Sequence, residues 1–205
     1  DVTYTAQWEA DFSDFSVAGD EWAYNGSSRQ IQVDGVYAGD KLTYTSSNGE
    51  VLATCDVTVD GIVNAPEFRN VSDSDTVTVT VTRSGKTASA EATITPLTIT
   101  VTPRDIRKTQ GQADPTLTPD YSGYLLGETA GWTGKLTREP GEAVGTYTIS
   151  RGSLQLADNP AGNFLAQNYV LVVNEGTFTI VVAPVTPGGG DTPTPTPGGG
   201  GDGTP

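Results

Sequence analysis

The side chains in this sequence that could take part in catalysis are acids, lysines and one thiol, because the chain contains no histidine. Without an imidazole, a Ser-His-Asp triad, a Cys-His dyad and a histidine metal site are all excluded within these residues. Cys55 has no neighbouring base and no second cysteine with which to form a disulfide. Its surroundings, residues 51–59, are typical of a strand, so we expect a buried structural thiol.

The glycine runs do not form a phosphate-binding loop, since residues 188–190 and 198–201 lie in a Thr-Pro-rich tail and not between a strand and a helix. Acidic residues are numerous, so their spacing alone leaves a carboxylate pair for glycoside hydrolysis open. However, no concave, helix-supported or barrel scaffold is predicted that would hold such a pair. We therefore predict no catalytic residues, no cofactor and no enzymatic activity.

Acidic residues cluster in two predicted turns, which raises the question of calcium. The first cluster contains Asp11, Asp14 and the pair Asp20-Glu21, and the second is the Ser-Asp-Ser-Asp sequence at residues 72–75. Calcium prefers several oxygen ligands, but neither cluster has the ligand pattern of an EF-hand loop. We therefore predict solvated turn residues and no metal site, with calcium binding as the alternative.

Five aromatic residues are expected in loops or at strand ends: Trp22, Tyr24, Tyr37, Tyr124 and Trp132. In such positions the rings could stack on the faces of sugars, so these residues are the candidate ligand-binding set. Aromatic rings more often cover the ends of a sandwich core, and we favour that interpretation.

The chain has 205 residues and a formal net charge of −14 at pH 7, with most of the acidic excess before residue 98. Such a surface repels phosphate backbones and anionic lipid, so neither nucleic acid nor a membrane is an expected partner. A hydrophobic share of 35% fits two thin modules better than one thick core, although a single larger β domain is an alternative. The absence of Met suggests that residue 1 is not a native start.

Alternation of Thr with aliphatic residues is the strongest structural signal. Period-2 alternation of this kind buries one face of a strand and leaves the other in water, and helix signals are nearly absent. Ser84-Gly85, between two alternating runs, predicts a hairpin. We expect an all-β, antiparallel chain whose main strands lie at residues 30–33, 41–44, 76–82, 90–95, 97–101, 146–149, 169–173 and 177–182.

The segment from residue 184 to 205 consists mainly of Thr, Pro and Gly. Such a composition buries too little apolar surface to offset the entropy lost on ordering. We expect a disordered, extended linker.

The two halves of the chain resemble each other with a period of about 86 residues, which is typical of a tandem domain array. In each half a polar-Gly turn is followed by a short strand and then by a Gly-x-x-x-Gly-acid sequence, which ends at Asp40 in the first half and at Glu128 in the second. Each half closes on an x-Thr-Ile strand. Pro96 stands between the halves, so the strands on either side of it are expected to run nearly end to end.

The second half resembles a known family. Residues 98–115, 141–149, 168–169 and 176–180 are similar to the MBG domain of bacterial surface adhesins, although Gln110 precedes the glycine where the family usually has tyrosine. The first half is similar, more loosely, to the related Tyr-Asp-Gly-type modules. Residues 3–8 look like the last strand of a Listeria–Bacteroides (internalin B-type) repeat.

This resemblance implies a fold, a location and partners. We expect a terminal strand of a preceding repeat at residues 1–9, β modules of the Ig-like or β-grasp-like sandwich type at 10–96 and 97–183, and the linker at 184–205. Similar surface modules carry Lys–Asn isopeptide bonds, but none of Lys41, Lys86, Lys108 and Lys135 lies in a recognisable cross-link context.

The function implied is that of a non-enzymatic spacer or stalk in an extracellular, cell-wall-associated bacterial adhesin. Its expected partners are neighbouring domains of the same surface protein, and we expect a monomer without membrane insertion in this segment. The alternative is an adhesive module that binds a host glycan or protein.

Overall fold

The computed structural model describes residues 13–184. The predicted repeat strand at residues 1–9 and the predicted linker beyond Pro184 lie outside the described residues. Within them, no helix has the length and apolar character needed to cross a membrane. The strands are β1 Ser16–Ala18, β2 Glu21–Ala23, β3 Gln32–Asp34, β4 Lys41–Thr45, β5 Val51–Asp56, β6 Asp75–Val81, β7 Thr87–Thr95, β8 Leu97–Pro103, β9 Ile106–Thr109, β10 Pro119–Ser122, β11 Gly131–Thr133, β12 Thr137–Arg138, β13 Gly145–Ser150, β14 Gln155–Ala157, β15 Tyr169–Val173 and β16 Gly176–Val181.

Three short 3-10 helices interrupt the strands: η1 Val71–Asp73, η2 Pro160–Gly162 and η3 Ala166–Asn168. The remainder of the described chain is turns and loops. The all-β prediction is confirmed. The predicted strand at 169–173 has the observed bounds of β15, and the hairpin at Ser84-Gly85 joins the antiparallel strands β6 and β7, with Gly85 at a φ of 68° that favours glycine.

We call residues 13–95 module 1 and residues 97–184 module 2, because every strand pairing among the described residues lies on one side of Pro96. Module 1 has a five-stranded sheet in the order β2-β7-β6-β4-β5 and a two-stranded sheet of β1 and β3. Module 2 has a four-stranded sheet (β12-β13-β16-β9), a three-stranded sheet (β10-β8-β15) and a two-stranded sheet (β11-β14). The predicted domain boundaries themselves stay a prediction.

The core forms as the alternating pattern predicts. In β6 every second residue, Val77, Val79 and Val81, is fully buried, while the threonines between them are only partly covered or exposed. Burying one such side chain stabilises the fold by about 1.5–3 kcal/mol before the entropic cost of ordering. Cys55 was expected to be buried, but in β5 it is only partly buried, with its Sγ 4.0 Å from the hydroxyl of Tyr44.

Strand direction differs in part from the prediction. We expected antiparallel pairing throughout, but β2 with β7, β15 with β8 and β16 with β9 are parallel pairs. The side-chain alternation is the same in both kinds of ladder, so the sequence pattern does not distinguish them. Each parallel pair joins an early strand of a module to a late one, which no hairpin signal could have predicted.

Candidate functional site: the joint between the modules

The two modules are connected by Pro96 alone, and side chains on both sides of this residue lie in contact. We define the joint as Tyr24 and residues 70–72 of module 1 together with Glu128 and residues 167–169 of module 2. β7 ends at Thr95 and β8 begins at Leu97. A connection this short fixes which end faces of the two modules can meet.

Asn168, the last residue of η3, is a fully buried polar side chain whose hydrogen bonds cross the joint. Its Oδ1 accepts a hydrogen bond from the backbone N–H of Val71 at 2.9 Å, and its Nδ2 donates to Oδ1 of Asn70 at 3.0 Å. Beside it, Nε2 of Gln167 donates to Oγ of Ser72 at 3.0 Å. A buried amide without partners would be costly, so the burial of Asn168 depends on module 1 being in place.

Local structure on each side holds these partners in position. In module 1, Oδ2 of Asp73 accepts hydrogen bonds from the N–H groups of Arg69 and Asn70, which fixes the start of η1. In module 2, Oδ1 of Asp158 accepts the N–H of Ala166 at 2.8 Å and so fixes the start of η3. These are side-chain caps on orphaned backbone donors at the start of a helix.

Glu128 joins two tyrosines from different modules. The hydroxyl of Tyr24 donates to Oε1 and that of Tyr169 donates to Oε2, both at 2.7 Å. The two rings meet edge to face with centroids 5.6 Å apart, and Phe164 stacks on Tyr169 at 4.7 Å. Burial and the bond to Glu128 raise the pKa of Tyr24 and of Tyr169, so both phenols remain protonated donors at neutral pH.

The carboxylates of Asp40 and Glu128 end two similar turns, one in each module. Each turn has a glycine just before the acid, with φ of 92° at Gly39 and 91° at Gly127. In module 1 the carboxylate is used locally, since Asp40 accepts the N–H of Tyr37 and lies 2.5 Å from the guanidinium of Arg83. In module 2 the longer Glu128 reaches the joint instead. The same turn therefore has a structural role in one module and a connecting role in the other.

A groove of about 830 Å³ lies beside the joint, and both modules line it. Its walls include Arg69 of module 1 and Leu125, Leu126 and Asn163 of module 2. Leu126 is fully exposed there, which is unusual for a large aliphatic side chain. A ligand bound in this groove would contact both modules.

A second polar cluster lies within module 2 and consists of alternating charges. Nζ of Lys108 lies 2.5 Å from Asp114 and 2.6 Å from Glu142, while Arg138 contacts the same two carboxylates at 2.7 and 2.6 Å. The guanidinium of Arg138 lies 4.7 Å from the ring centroid of Phe178. We call the four charged residues the ion ring. Lys108 and Arg138 both lie over the ring of the buried Phe178.

The charges in the ion ring oppose covalent chemistry. Hydrogen bonds from Arg138 and then from Lys108 lower the pKa of Asp114 to about 2, and the bonds to Asp114 and Glu142 raise the pKa of Lys108. A protonated amine is not a nucleophile, and an ionised carboxylate is a poor electrophile. Sequence reasoning missed this pairing, although the Lys108 to Asp114 spacing was visible in the stretch that carries the family resemblance.

The five predicted ligand-binding aromatics do not form one site. Tyr24 is buried at the joint, Trp22 is partly buried against the core in β2, and Tyr37 is exposed in a loop of module 1. Only Tyr124 and Trp132 are brought together, through a residue that the sequence analysis did not select.

That residue is Tyr121, and we call Tyr121, Tyr124 and Trp132 the aromatic cluster. The centroid of the Tyr121 ring lies 6.0 Å from that of Tyr124 and 5.3 Å from that of Trp132. Tyr121 and Tyr124 are both exposed, and Trp132 is partly buried. Tyr121 lies in β10, a strand that is absent from the list of main strands expected from the sequence.

The acidic clusters considered for calcium bind backbone groups. Asp20 accepts the N–H of Glu21, Asp73 caps η1, and Asp75 accepts the N–H groups of Ser47 and Thr76. Within residues 13–184, no group of three or more His, Cys, Asp or Glu residues is placed to hold a metal ion. Asp11 lies outside the described residues.

Comparison with solved structures gives matches of low similarity. The I9–I11 tandem of titin is 13% identical with a TM-score of 0.34, and the match covers 82% of this chain and 65% of that one. The N-terminal four Ig domains of Dscam1 isoform 6.9 are 15% identical with a TM-score of 0.33, covering 85% of this chain and 45% of that one. The chain thus spans less than two thirds of the length of either structure. Comparison with curated protein sequences gives no match.

Comparison with family models gives a match for one part of the chain. Residues 99–179 match the model of the MBG domain (YGX type). The match begins in β8 and ends in β16, and it includes Glu128, Asn168 and Tyr169 of the joint as well as the whole ion ring. This match supports an MBG-type module at residues 99–179.

Proposed function

We propose that this chain is a non-enzymatic spacer of an extracellular bacterial surface adhesin, in which two β modules are held end to end in a fixed orientation. Module 1 is in this proposal a second module of related type, so that the pair forms a tandem. The chain acts as a monomer, and its partners are the neighbouring domains of the same protein. The observation that carries the proposal is the buried Asn168, with both ends of its amide bonded to module 1.

The contacts in the joint are polar and directional. This supports one fixed orientation of the modules over a contact that would hold them together in many orientations. A net contribution of about 0.5–1.5 kcal/mol is typical of one hydrogen bond, so these bonds alone give modest stability. Their directional effect is larger, because a small rotation would leave the buried amide of Asn168 without partners at a cost of about 1–3 kcal/mol. One relative orientation of the modules therefore satisfies the hydrogen bonds of the joint, and slightly rotated orientations do not.

Pulsed electron–electron double resonance, which measures the distance between two spin labels, tests whether the modules keep one orientation. Spin labels are placed at the exposed residues Thr82 and Gln155, one in each module, in a chain carrying Cys55→Ser. We expect one narrow distance distribution, and a broad one when Asn168→Ala is added. Asn174→Ala is the matched control, because the Asn174 amide bonds only within module 2, to Thr102. A broad distribution before any joint mutation would refute the proposal.

The second candidate function is ligand binding, and the aromatic cluster favours it. Exposed, mutually tilted rings at Tyr121 and Tyr124 offer faces of the kind that stack on sugars. The loop that carries Tyr124 also contributes Leu125 and Leu126 to the groove beside the joint. A glycan array and a mucin-binding assay with the full chain test this function. Binding that Tyr121→Ala abolishes and Tyr37→Ala preserves would establish an adhesive module.

A further inference from the structure

In each module, parallel pairs connect early strands of the described chain to late ones. In module 2 the chain enters through β8 and β9 and leaves through β15 and β16, and β8 is paired with β15 and β9 with β16. In module 1 the early strand β2 is paired with the last strand β7. All three pairs are parallel.

This direction determines how the hydrogen bonds carry load. When a chain is pulled from its two ends, parallel entry and exit strands are drawn past each other along their length. The ladder bonds lie across the pull, so they share the load and must break together. A hairpin pulled from its open end separates one bond pair at a time. The length of the parallel pairing therefore sets the resistance of each module to axial force.

Module 2 has the longer pairing. β15 is paired with β8 along all five of its residues, and β9 is paired with β16 along all four of its residues. The backbone N–H of Gln110 extends the second ladder by donating to the carbonyl of Val181 at 2.8 Å. Side chains connect the strands where the chain passes from one sheet to the other. Oδ1 of Asp105 accepts the N–H of Thr177 at 2.9 Å, and Nδ2 of Asn174 donates to Oγ1 of Thr102 at 3.0 Å.

Among the described residues, module 1 has a shorter parallel pairing between an early strand and its last strand. β2 has three residues, which pair with β7 from Glu21–Thr93 to Ala23–Thr95. One backbone bond extends the ladder at each end: Thr93 donates to the carbonyl of Asp20, and Tyr24 donates to that of Thr95. The other strands of this sheet pair antiparallel to their neighbours.

We propose that the two modules differ in mechanical strength, so that module 2 resists axial force and module 1 unfolds first. Module 1 then acts as an extensible reserve, which lengthens the chain under load while module 2 stays folded. The proposal rests on the proposed spacer only for the direction of the load. Unfolding one module of this size releases roughly 80 residues, or about 250–300 Å of extended chain.

Single-molecule force spectroscopy on the full chain, pulled from its two ends, tests this inference. We expect two separate unfolding events at clearly different forces. Because the modules are similar in length, extension alone does not identify them, so disulfide locks are used in the Cys55→Ser background. Ala23→Cys with Thr95→Cys locks module 1, and Arg107→Cys with Thr179→Cys locks module 2, in each case at residues that face each other in the parallel pair.

The oxidised module 1 lock should remove the low-force event and leave the high-force event unchanged. The oxidised module 2 lock should remove the full-length high-force event and leave at most a short extension from β8, which lies outside the locked loop, and a reducing agent should restore both events in both variants. Loss of the high-force event in the module 1 lock would overturn the inference, as would equal forces in the unlocked chain. Those results leave the spacer proposal intact. A broad distance distribution between the spin labels, together with two clearly different unfolding forces, would refute only the spacer proposal.

Discussion

The hydroxyl of Tyr24 donates a 2.7 Å hydrogen bond to Oε1 of Glu128, a residue 104 positions later in the chain. Glu128 ends a turn whose counterpart in module 1 ends at Asp40, where the carboxylate is held by Arg83. The same type of turn occurs once in each module. It supplies an internal ion pair in module 1 and a contact between the modules in module 2. The length of the acid side chain and the tyrosine that faces it distinguish the two cases.

Removing the hydroxyl of Tyr24 should weaken the joint. In Tyr24→Phe the ring and its edge-to-face contact with Tyr169 remain, but Glu128 loses one donor. A hydrogen bond to a charged group contributes about 1.5–3 kcal/mol, so we expect the free energy of unfolding to fall by that amount. Urea denaturation measures this free energy of unfolding. Tyr37→Phe is the control and should change it little, since Tyr37 is exposed. An equal loss in both variants would contradict the role of the joint.

Replacing Asn168 should cost more than replacing an exposed asparagine. Asn168→Ala leaves the N–H of the partly buried Val71 without its acceptor, and we expect the free energy of unfolding to fall by about 1–3 kcal/mol. Asn174→Ala, which removes an exposed bond within module 2, should cost under about 1 kcal/mol. Thermal unfolding of the two variants side by side gives the comparison. Equal melting temperatures would show that the Asn168 amide is not needed.

The joint shows where sequence reasoning stops. The strands with strong alternation, such as β6 and β8, were predictable because each alternating residue reports its own burial. Asn168 was not predictable as a joint residue, since its partner Val71 lies 97 positions away and has no pattern that points to it. Tyr24 was named as a candidate ligand-binding aromatic, with covering of a sandwich core as the favoured interpretation, and the structure buries it against Tyr169 at the joint.

Alkaline pH should loosen the joint. Tyr24 and Tyr169 have pKa values raised by burial and by Glu128, so their neutral forms are favoured in the folded state. For a raised pKa, the stability is fully present below the ordinary value of about 10 and is lost as the pH rises through the folded value. Urea denaturation between pH 8 and pH 11 should show a decline, and Tyr24→Phe should reduce its steepness. If this substitution leaves the decline unchanged, the loss of stability at alkaline pH comes from another group, for example the buried Tyr44.

Acid should weaken the ion ring of module 2. Asp114 has its pKa lowered to about 2 from 3.8, and that of Glu142 is lowered as well. For lowered values, the stability is present above the ordinary pKa and is lost as the pH falls from about 4 towards 2. The drop in melting temperature from pH 5 to pH 2.5 should be smaller in Asp114→Asn than in the unmutated chain. It should be unchanged in Asp56→Asn, an exposed control on β5. Identical acid sensitivity of both variants would contradict this account.

Lys108 should remain a free amine. Although its Nζ lies 2.5 Å from Oδ1 of Asp114, the charged forms that the ion ring favours do not condense to an amide. We expect the intact mass of the purified chain to equal the mass calculated for the uncross-linked sequence, which is the sum of its residue masses plus one water. A mass lower by one water that becomes normal in Lys108→Arg would reveal a cross-link and overturn this assignment.

The central claim is that the joint holds the two modules in one fixed orientation, and residual dipolar couplings test it most directly. Backbone N–H couplings are measured on the weakly aligned full chain and fitted separately for the strands of each module. We predict that one alignment tensor describes both modules, with the same magnitude and axes, and that Asn168→Ala separates the two fits. Two tensors of clearly different magnitude in the unmutated chain would mean that the modules move independently, and would contradict the account.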